Sequence, residues 1–62
     1  MQIELATYFD NYNYAAITLH NGVCISGYID AVGGNHVVID EDKAFGDMVV
    51  IRYEDILMAE GR

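Results

Sequence analysis

The 62-residue chain has no Pro, no Trp and a single Cys. One Cys excludes an internal disulfide, and the length allows one domain. A chain of this size buries only about 60% of the surface that its unfolded form exposes, so its core alone is marginal. Small chains usually compensate with disulfides, a metal or association. We therefore expect this chain to associate with copies of itself.

Positive charge is also scarce: three Lys and Arg residues stand against ten Asp and Glu, giving a formal net charge of −7. Binding to nucleic acid or anionic membranes through a broadly basic surface is disfavoured, because no such surface exists. A focused basic site in an acidic protein stays open. The hydrophobic content of 53% is too high for a disordered chain.

Long apolar runs are absent, since none approaches the roughly 20 residues that a membrane helix needs. Residues 1–5 show no basic region followed by an apolar run, as a secretory signal would. A single Cys without an export signal fits a reducing compartment. The sequence predicts a soluble, cytoplasmic protein.

Metal sites and catalysis find little support. The soft ligands Cys24, His20 and His36 show no Cys-x-x-Cys or His-x-x-x-His spacing. The acidic segment 40–47 resembles a calcium loop only superficially, because its Gly46 falls one place late. Neither the Cys24 thiol nor any serine has a base at a meaningful spacing. We expect no metal, no cofactor and no enzymatic activity.

One helix is predicted at the start of the chain. Leu5, Tyr8, Phe9 and Tyr12 follow the spacing of one helical face. This spacing predicts a short helix over about residues 3–12, with Tyr8 and Tyr12 on its packing face.

From residue 15 the pattern changes to strands. Asn21-Gly22 between two alternating runs predicts a hairpin with a type I′ turn, which needs positive φ at both residues. Gly27 within the second run predicts a sharp bend of the kind found in small barrels. One face of that run holds Val23, Ile25, Gly27, Ile29 and Ala31.

The remaining segments complete a five-stranded pattern. Residues 33–35 predict a turn, residues 37–39 a strand and residues 40–47 a polar loop. After these, residues 48–51 predict a buried strand, residues 52–55 a tight connection and residues 56–58 a last short strand. The chain is therefore predicted to be mainly β, a single domain over 1–62. It has a short N-terminal helix and then a strongly bent, five-stranded antiparallel SH3-like barrel over about 15–60. An open barrel would leave edge strands free to pair with a neighbour.

Two motifs resemble the signatures of the Sm/LSm family of Sm-like, Hfq-related proteins. The first is Ile17-x-Leu19-x-Asn21-Gly22-x-x-Ile25-x-Gly27-x-Ile29 followed by Val37-Val38-Ile39; the second is Val49-Val50-Ile51-Arg52 followed by Ile56-Leu57. The resemblance covers nearly the whole chain and implies the Sm fold. It also implies a homo-oligomeric ring, in which the fourth strand of one subunit pairs with the fifth strand of the next. The matching interface residues are Met48, Val49, Val50, Ile51, Ile56, Leu57 and Met58.

The resemblance further implies single-stranded RNA binding near the ring's pore. Arg52 matches the Arg of the second signature, whereas Tyr53 replaces the Gly that usually follows it. In the loop before the third strand, Gly33 stands where an Asp is usual, and either Asn35 or His36 fills the position of an Asn. Arg52 would hold phosphates or bases, or instead pair with a nearby carboxylate. Asn35 and His36 would bind a base, or merely form a turn. Tyr53 would either stack on a base or plug the site.

Two ring functions follow as alternatives, and a monomeric SH3-like adaptor is a third. The first is an Sm-like ring that binds U- or A-rich single-stranded RNA through Asn35, His36, Arg52 and Tyr53, as an RNA chaperone or scaffold. The second is an Sm-fold ring that serves as a protein-interaction or structural module without RNA binding, with a basic protein as a possible partner. The acidic composition and the replacements at Gly33 and Tyr53 favour the second, and the Ile-Arg step at residues 51–52 favours the first.

Overall fold

The computed structural model describes residues 3–41 and 48–62, and they form one helix and one antiparallel sheet. The sheet has the strand order β4-β3-β2-β1-β5, so β4 and β5 are its edges. The elements are α1 (Ile3–Asp10), β1 (Tyr14–Leu19), β2 (Cys24–Val32), β3 (His36–Glu41), β4 (Met48–Arg52), a 3₁₀ turn (Tyr53–Asp55) and β5 (Ile56–Gly61).

The helix ends at Asp10, two residues before the predicted end. The Asn11 side chain donates a hydrogen bond to the Thr7 carbonyl (2.9 Å), which satisfies one of the acceptors left free at a helix C-terminus. The predicted packing face is confirmed at Phe9, which is fully buried, and at Leu5 and Tyr8, which pack against the core. Tyr12 is predicted on the packing face, but it lies past the helix and is 38% exposed, although its ring covers Gly61 on β5.

The β1–β2 hairpin forms where Asn21-Gly22 predicts it, but the predicted turn type is wrong. Gly22 alone has a positive φ (88°) among the described residues, so the double requirement of a type I′ turn is not met. Gly22 N–H donates to the Leu19 carbonyl (2.9 Å), and Leu19 N–H donates to the Val23 carbonyl (2.8 Å). This is the pattern of a three-residue loop that ends in a left-handed glycine. Val23 is therefore an exposed loop residue rather than a member of the strand's inner face.

Gly27 lies within β2, at the position where the sequence predicts a bend. It pairs with Ala15 on one side and Glu41 on the other, and a Cβ built on it would overlap the Asp40 backbone. The inner face continues through Ile29 and then changes, because the β2–β3 register shifts between Ile29 and Ala31. This β-bulge leaves Ala31 exposed, contrary to the predicted alternation, while Val32 packs against the core.

The later strands differ from their predictions in extent and burial. Asp40 and Glu41 extend β3 instead of opening a polar loop, and residues 42–47 of that loop lie outside the described residues. β4 is not buried on both faces, because Met48 and Val50 are exposed. β5 runs on to Gly61 and pairs with β1 along its length.

The core lies between the curved sheet and the helix. Its buried members are Phe9, Ala15, Ile17, Ile25, Val37, Ile39, Ile51 and Tyr53. Phe9 covers the inner face of the sheet and stacks on Tyr53 (ring centroids 6.0 Å apart, planes at 27°). In the part of the chain that the structure describes, no helix is long and apolar enough to cross a membrane.

Candidate functional site

Three of the four predicted RNA-binding residues lie together at one end of the sheet. His36 begins β3 and pairs in register with Arg52, which ends β4. Asn35 immediately precedes His36, and its carbonyl accepts a hydrogen bond from Tyr53 N–H (3.0 Å). The β2–β3 loop and the residue after β4 are therefore joined through the backbone, although Asn35 and Tyr53 are 18 residues apart in sequence (53 − 35).

The glycine that replaces the expected Asp makes room for the His36 ring. A Cβ built on Gly33 would overlap the imidazole, so the ring lies directly over the glycine. His36 Nδ1 is 3.0 Å from Asn35 Oδ1, which fixes the two polar side chains relative to each other. Gly33 N–H also donates to the His36 carbonyl (2.8 Å) and closes the loop. The glycine at position 33 thus has a local structural reason.

Tyr53 is a core residue in this structure. Its exposed fraction is 2% and its ring stacks on Phe9, so the expectation that the ring stacks on a base is not supported. Its hydroxyl donates a hydrogen bond of 2.6 Å to the Gly33 carbonyl. Burial, and secondarily the negative charge of Asp10, raise the pKa of this hydroxyl above its usual value. Tyr53 therefore holds the β2–β3 loop against the end of β4.

Arg52 contacts a carboxylate without being immobilised by it. Its Nη1 lies 3.2 Å from Glu54 Oε1, while the two side chains are 72% and 68% exposed. Exposed ion pairs of this kind are worth about 0–1 kcal/mol and are screened by salt. The guanidinium is therefore available to an anion, although Glu54 and Asp55 add negative charge beside it.

The predicted interface residues lie on the two edges of the sheet. Met48 and Val50 of β4, and Leu57 and Met58 of β5, are all more than half exposed. Val49 and Ile56 are half-buried, and Ile51 is buried in the chain's own core. Among the described strands, β4 and β5 each have one unpaired side, so both edges present apolar side chains beside free backbone groups, the combination that proteins ordinarily cover.

No protein-family model and no curated protein matches the sequence. A solved structure of Hfq, described as a pleiotropic translational regulator, matches with a TM-score of 0.71 at 19% sequence identity. The match covers 94% of this chain and 93% of that one. The chain has the fold of Hfq. The predicted mainly β architecture with a short N-terminal helix, and the Sm fold implied by the two motifs, are thereby confirmed.

Within the described ranges, no group of three or more His, Cys, Asp or Glu side chains is placed to hold a metal ion. The sequence does not show that Gly33 and Tyr53 stabilise the site loop. A glycine three residues before a histidine gives little indication that the ring will lie over it. From the sequence alone Tyr53 is equally compatible with an exposed and a buried position. Its burial follows only from its packing against Phe9.

Proposed function

We propose that this protein forms a homo-oligomeric, Sm-like ring that binds U- or A-rich single-stranded RNA near its pore. It would act in the cytoplasm as a non-enzymatic RNA chaperone or scaffold. The observation that carries the proposal is the meeting of Asn35, His36 and Arg52 at one end of a sheet with the Hfq fold. An amide, an imidazole and a guanidinium are groups that read and stack unpaired bases and bind phosphate.

The two apolar edges support ring assembly. Within residues 3–41 and 48–62, β4 and β5 each lack a neighbour on one side, so the β4 of one copy and the β5 of another satisfy each other's backbone groups. Such a contact is head-to-tail, and it closes into a ring if the rotation per subunit allows. Ring closure repeats the site, with its single Arg52, in every subunit. Several weak contacts then act together on one RNA strand.

The alternative is a ring of the same fold that binds proteins and not RNA. Its support is the net charge of −7 per chain, which repels RNA at long range, and the contact between Arg52 and Glu54. In this alternative Tyr53 and Gly33 serve only to stabilise the loop.

Fluorescence anisotropy with labelled oligo-U and oligo-A, at low and near-physiological salt, separates the two. We expect micromolar binding that survives physiological salt and weakens at least tenfold in Arg52→Ala. The matched control is Arg62→Ala, which removes another exposed Arg paired with a nearby acid, here Glu60. Absence of binding at low salt, or equal losses in both variants, overturns the RNA site and leaves the protein-interaction ring.

A further inference from the structure

The outer face of the sheet carries a partly exposed aromatic pair that neither proposed role uses. Tyr14 on β1 and Tyr28 on β2 are partners in the strand register. Their rings meet edge to face, with centroids 5.2 Å apart and planes at 87°. Tyr28 is 59% exposed, so much of its ring is left open to solvent. An aromatic group held in place by its neighbour and open to solvent is typical of a recognition surface.

Carboxylates flank this pair. Asp40 on β3 is the register partner of Tyr28 on the side away from Tyr14, and the three residues cross adjacent strands. Asp30 follows two residues after Tyr28 and is exposed. The Oδ1 atom of Asp40 is buried and has no hydrogen-bond partner in the part of the chain that the structure describes. Because Oδ1 is not accessible to a partner, Asp40 contributes to this surface through its negative charge beside the ring.

The charge at this place selects the chemical class of the partner. Glu60, on the β5 side, is already paired with Arg62 at 3.1 Å, whereas Asp30 and Asp40 are in no ion pair with another described residue. An RNA base can stack on a tyrosine, but its phosphates would meet these carboxylates in a chain that already carries −7. An Arg or Lys side chain is attracted both by the face of the Tyr28 ring and by the carboxylates.

The position also leaves this surface free in the ring proposed above. β1 and β2 are interior strands whose two edges are both paired within the chain. A partner on this face therefore contacts side chains and does not compete with pairing between β4 and β5. The site at Asn35, His36 and Arg52 uses the end of β3 and β4 instead.

We infer that Tyr14, Tyr28, Asp30 and Asp40 form a docking surface for a basic peptide segment, with an Arg or Lys side chain over the Tyr28 ring. This inference deepens the protein-interaction role and is independent of RNA binding at Arg52. It names the partner by its chemistry: an extended segment of a protein rich in Arg or Lys.

The test titrates a labelled hexa-arginine peptide, with a hexa-glutamate peptide as the charge control, against the full chain by anisotropy. Tyr28→Leu keeps an apolar side chain but removes the ring, and we expect it to weaken binding about two- to fivefold. Tyr28→Phe keeps the ring and should stay within about twofold of the parent. Asp40→Asn should weaken binding, and Glu54→Gln, which removes the same charge at the other site, should not.

The outcomes separate this surface from general charge attraction. Equal losses in Asp40→Asn and Glu54→Gln, or no difference between Tyr28→Leu and Tyr28→Phe, overturn the inference in favour of non-specific attraction. Chemical shifts of Tyr28 and its neighbours that move with oligo-A and not with the peptide overturn it in favour of a nucleic-acid surface. Arg52→Ala should leave peptide binding unchanged, so a failed RNA experiment does not bear on this one.

Discussion

The Tyr53 hydroxyl donates a 2.6 Å hydrogen bond to the carbonyl of Gly33, 20 residues earlier in the chain. The same tyrosine donates its backbone N–H to the Asn35 carbonyl. One buried side chain thereby stabilises the loop that carries Asn35 and His36. The geometry of the candidate site depends on a residue that does not itself face the ligand.

Removal of that hydroxyl should loosen the loop without unfolding the protein. Tyr53→Phe keeps the stacking on Phe9 but leaves the Gly33 carbonyl without its donor. We expect a loss of about 1 kcal/mol in the free energy of unfolding, seen as a fall of about 4–8 °C in Tm. Tyr12→Phe is the control, because no hydrogen bond is described for the Tyr12 hydroxyl. An equal fall in both variants would contradict the assigned role.

The same hydroxyl should make the fold sensitive to alkaline pH. Its pKa is raised in the folded protein by burial and by Asp10, whereas the unfolded tyrosine loses its proton near pH 10. Above that pH the unfolded state binds fewer protons than the folded state, so the free energy of unfolding falls as pH rises. Urea unfolding between pH 8 and 11 should show a steeper loss in the parent than in Tyr53→Phe. The same loss of unfolding free energy with pH in both proteins would contradict the assignment of this pH dependence to Tyr53.

Gly27 should tolerate no side chain. A Cβ at this position overlaps the Asp40 carbonyl oxygen, which belongs to the backbone of β3 and cannot move alone. Gly27→Ala should therefore cost more than about 3 kcal/mol or abolish folding. At Gly34 a Cβ meets nothing within 4 Å, so Gly34→Ala should fold normally. Circular dichroism melts of the two variants give the comparison, and a stable Gly27→Ala would show that β2 and β3 can separate there.

A charge on the exposed face of β4 should disrupt assembly. Val50 is 64% exposed on an edge strand, and a lysine there would be desolvated in a β4–β5 contact. We expect Val50→Lys to lower the mass measured by light scattering from a multiple of 6.9 kDa towards that of one chain. Val23→Lys places the same change in the hairpin loop and should leave the mass unchanged. A Val50→Lys protein of parental mass would exclude β4 as the interface.

The sequence predicted most of the fold because its strongest signals are local. The spacing of Leu5, Tyr8 and Phe9 and the Asn21-Gly22 pair each act within a few residues, so the helix and the first hairpin lie where expected. The exposure of Ala31 depends on a bulge in the pairing of β2 with β3, which is a non-local register that alternation alone cannot reveal.

The candidate site was predicted less completely for a related reason. Arg52, Asn35 and His36 came from motif positions, and the register of β3 with β4 places them together. Burial of Tyr53 depends on Phe9, which lies 44 residues earlier (53 − 9). The apolar run in β4 predicts a strand that is buried on both faces. The sequence does not show whether its own fold or a second copy would cover those faces.

The two edge strands are consecutive in sequence, and this alone requires a curved sheet. Only residues 53–55 separate the end of β4 from the start of β5. The step from Arg52 to Ile56 spans at most about 14 Å when fully extended. In a flat sheet of this strand order the two edges would lie four strand spacings apart, about 19 Å. The single 3₁₀ turn over Tyr53–Asp55 therefore sets the angle between the two edge strands, β4 and β5. If copies join through them, that angle determines how many complete the circle.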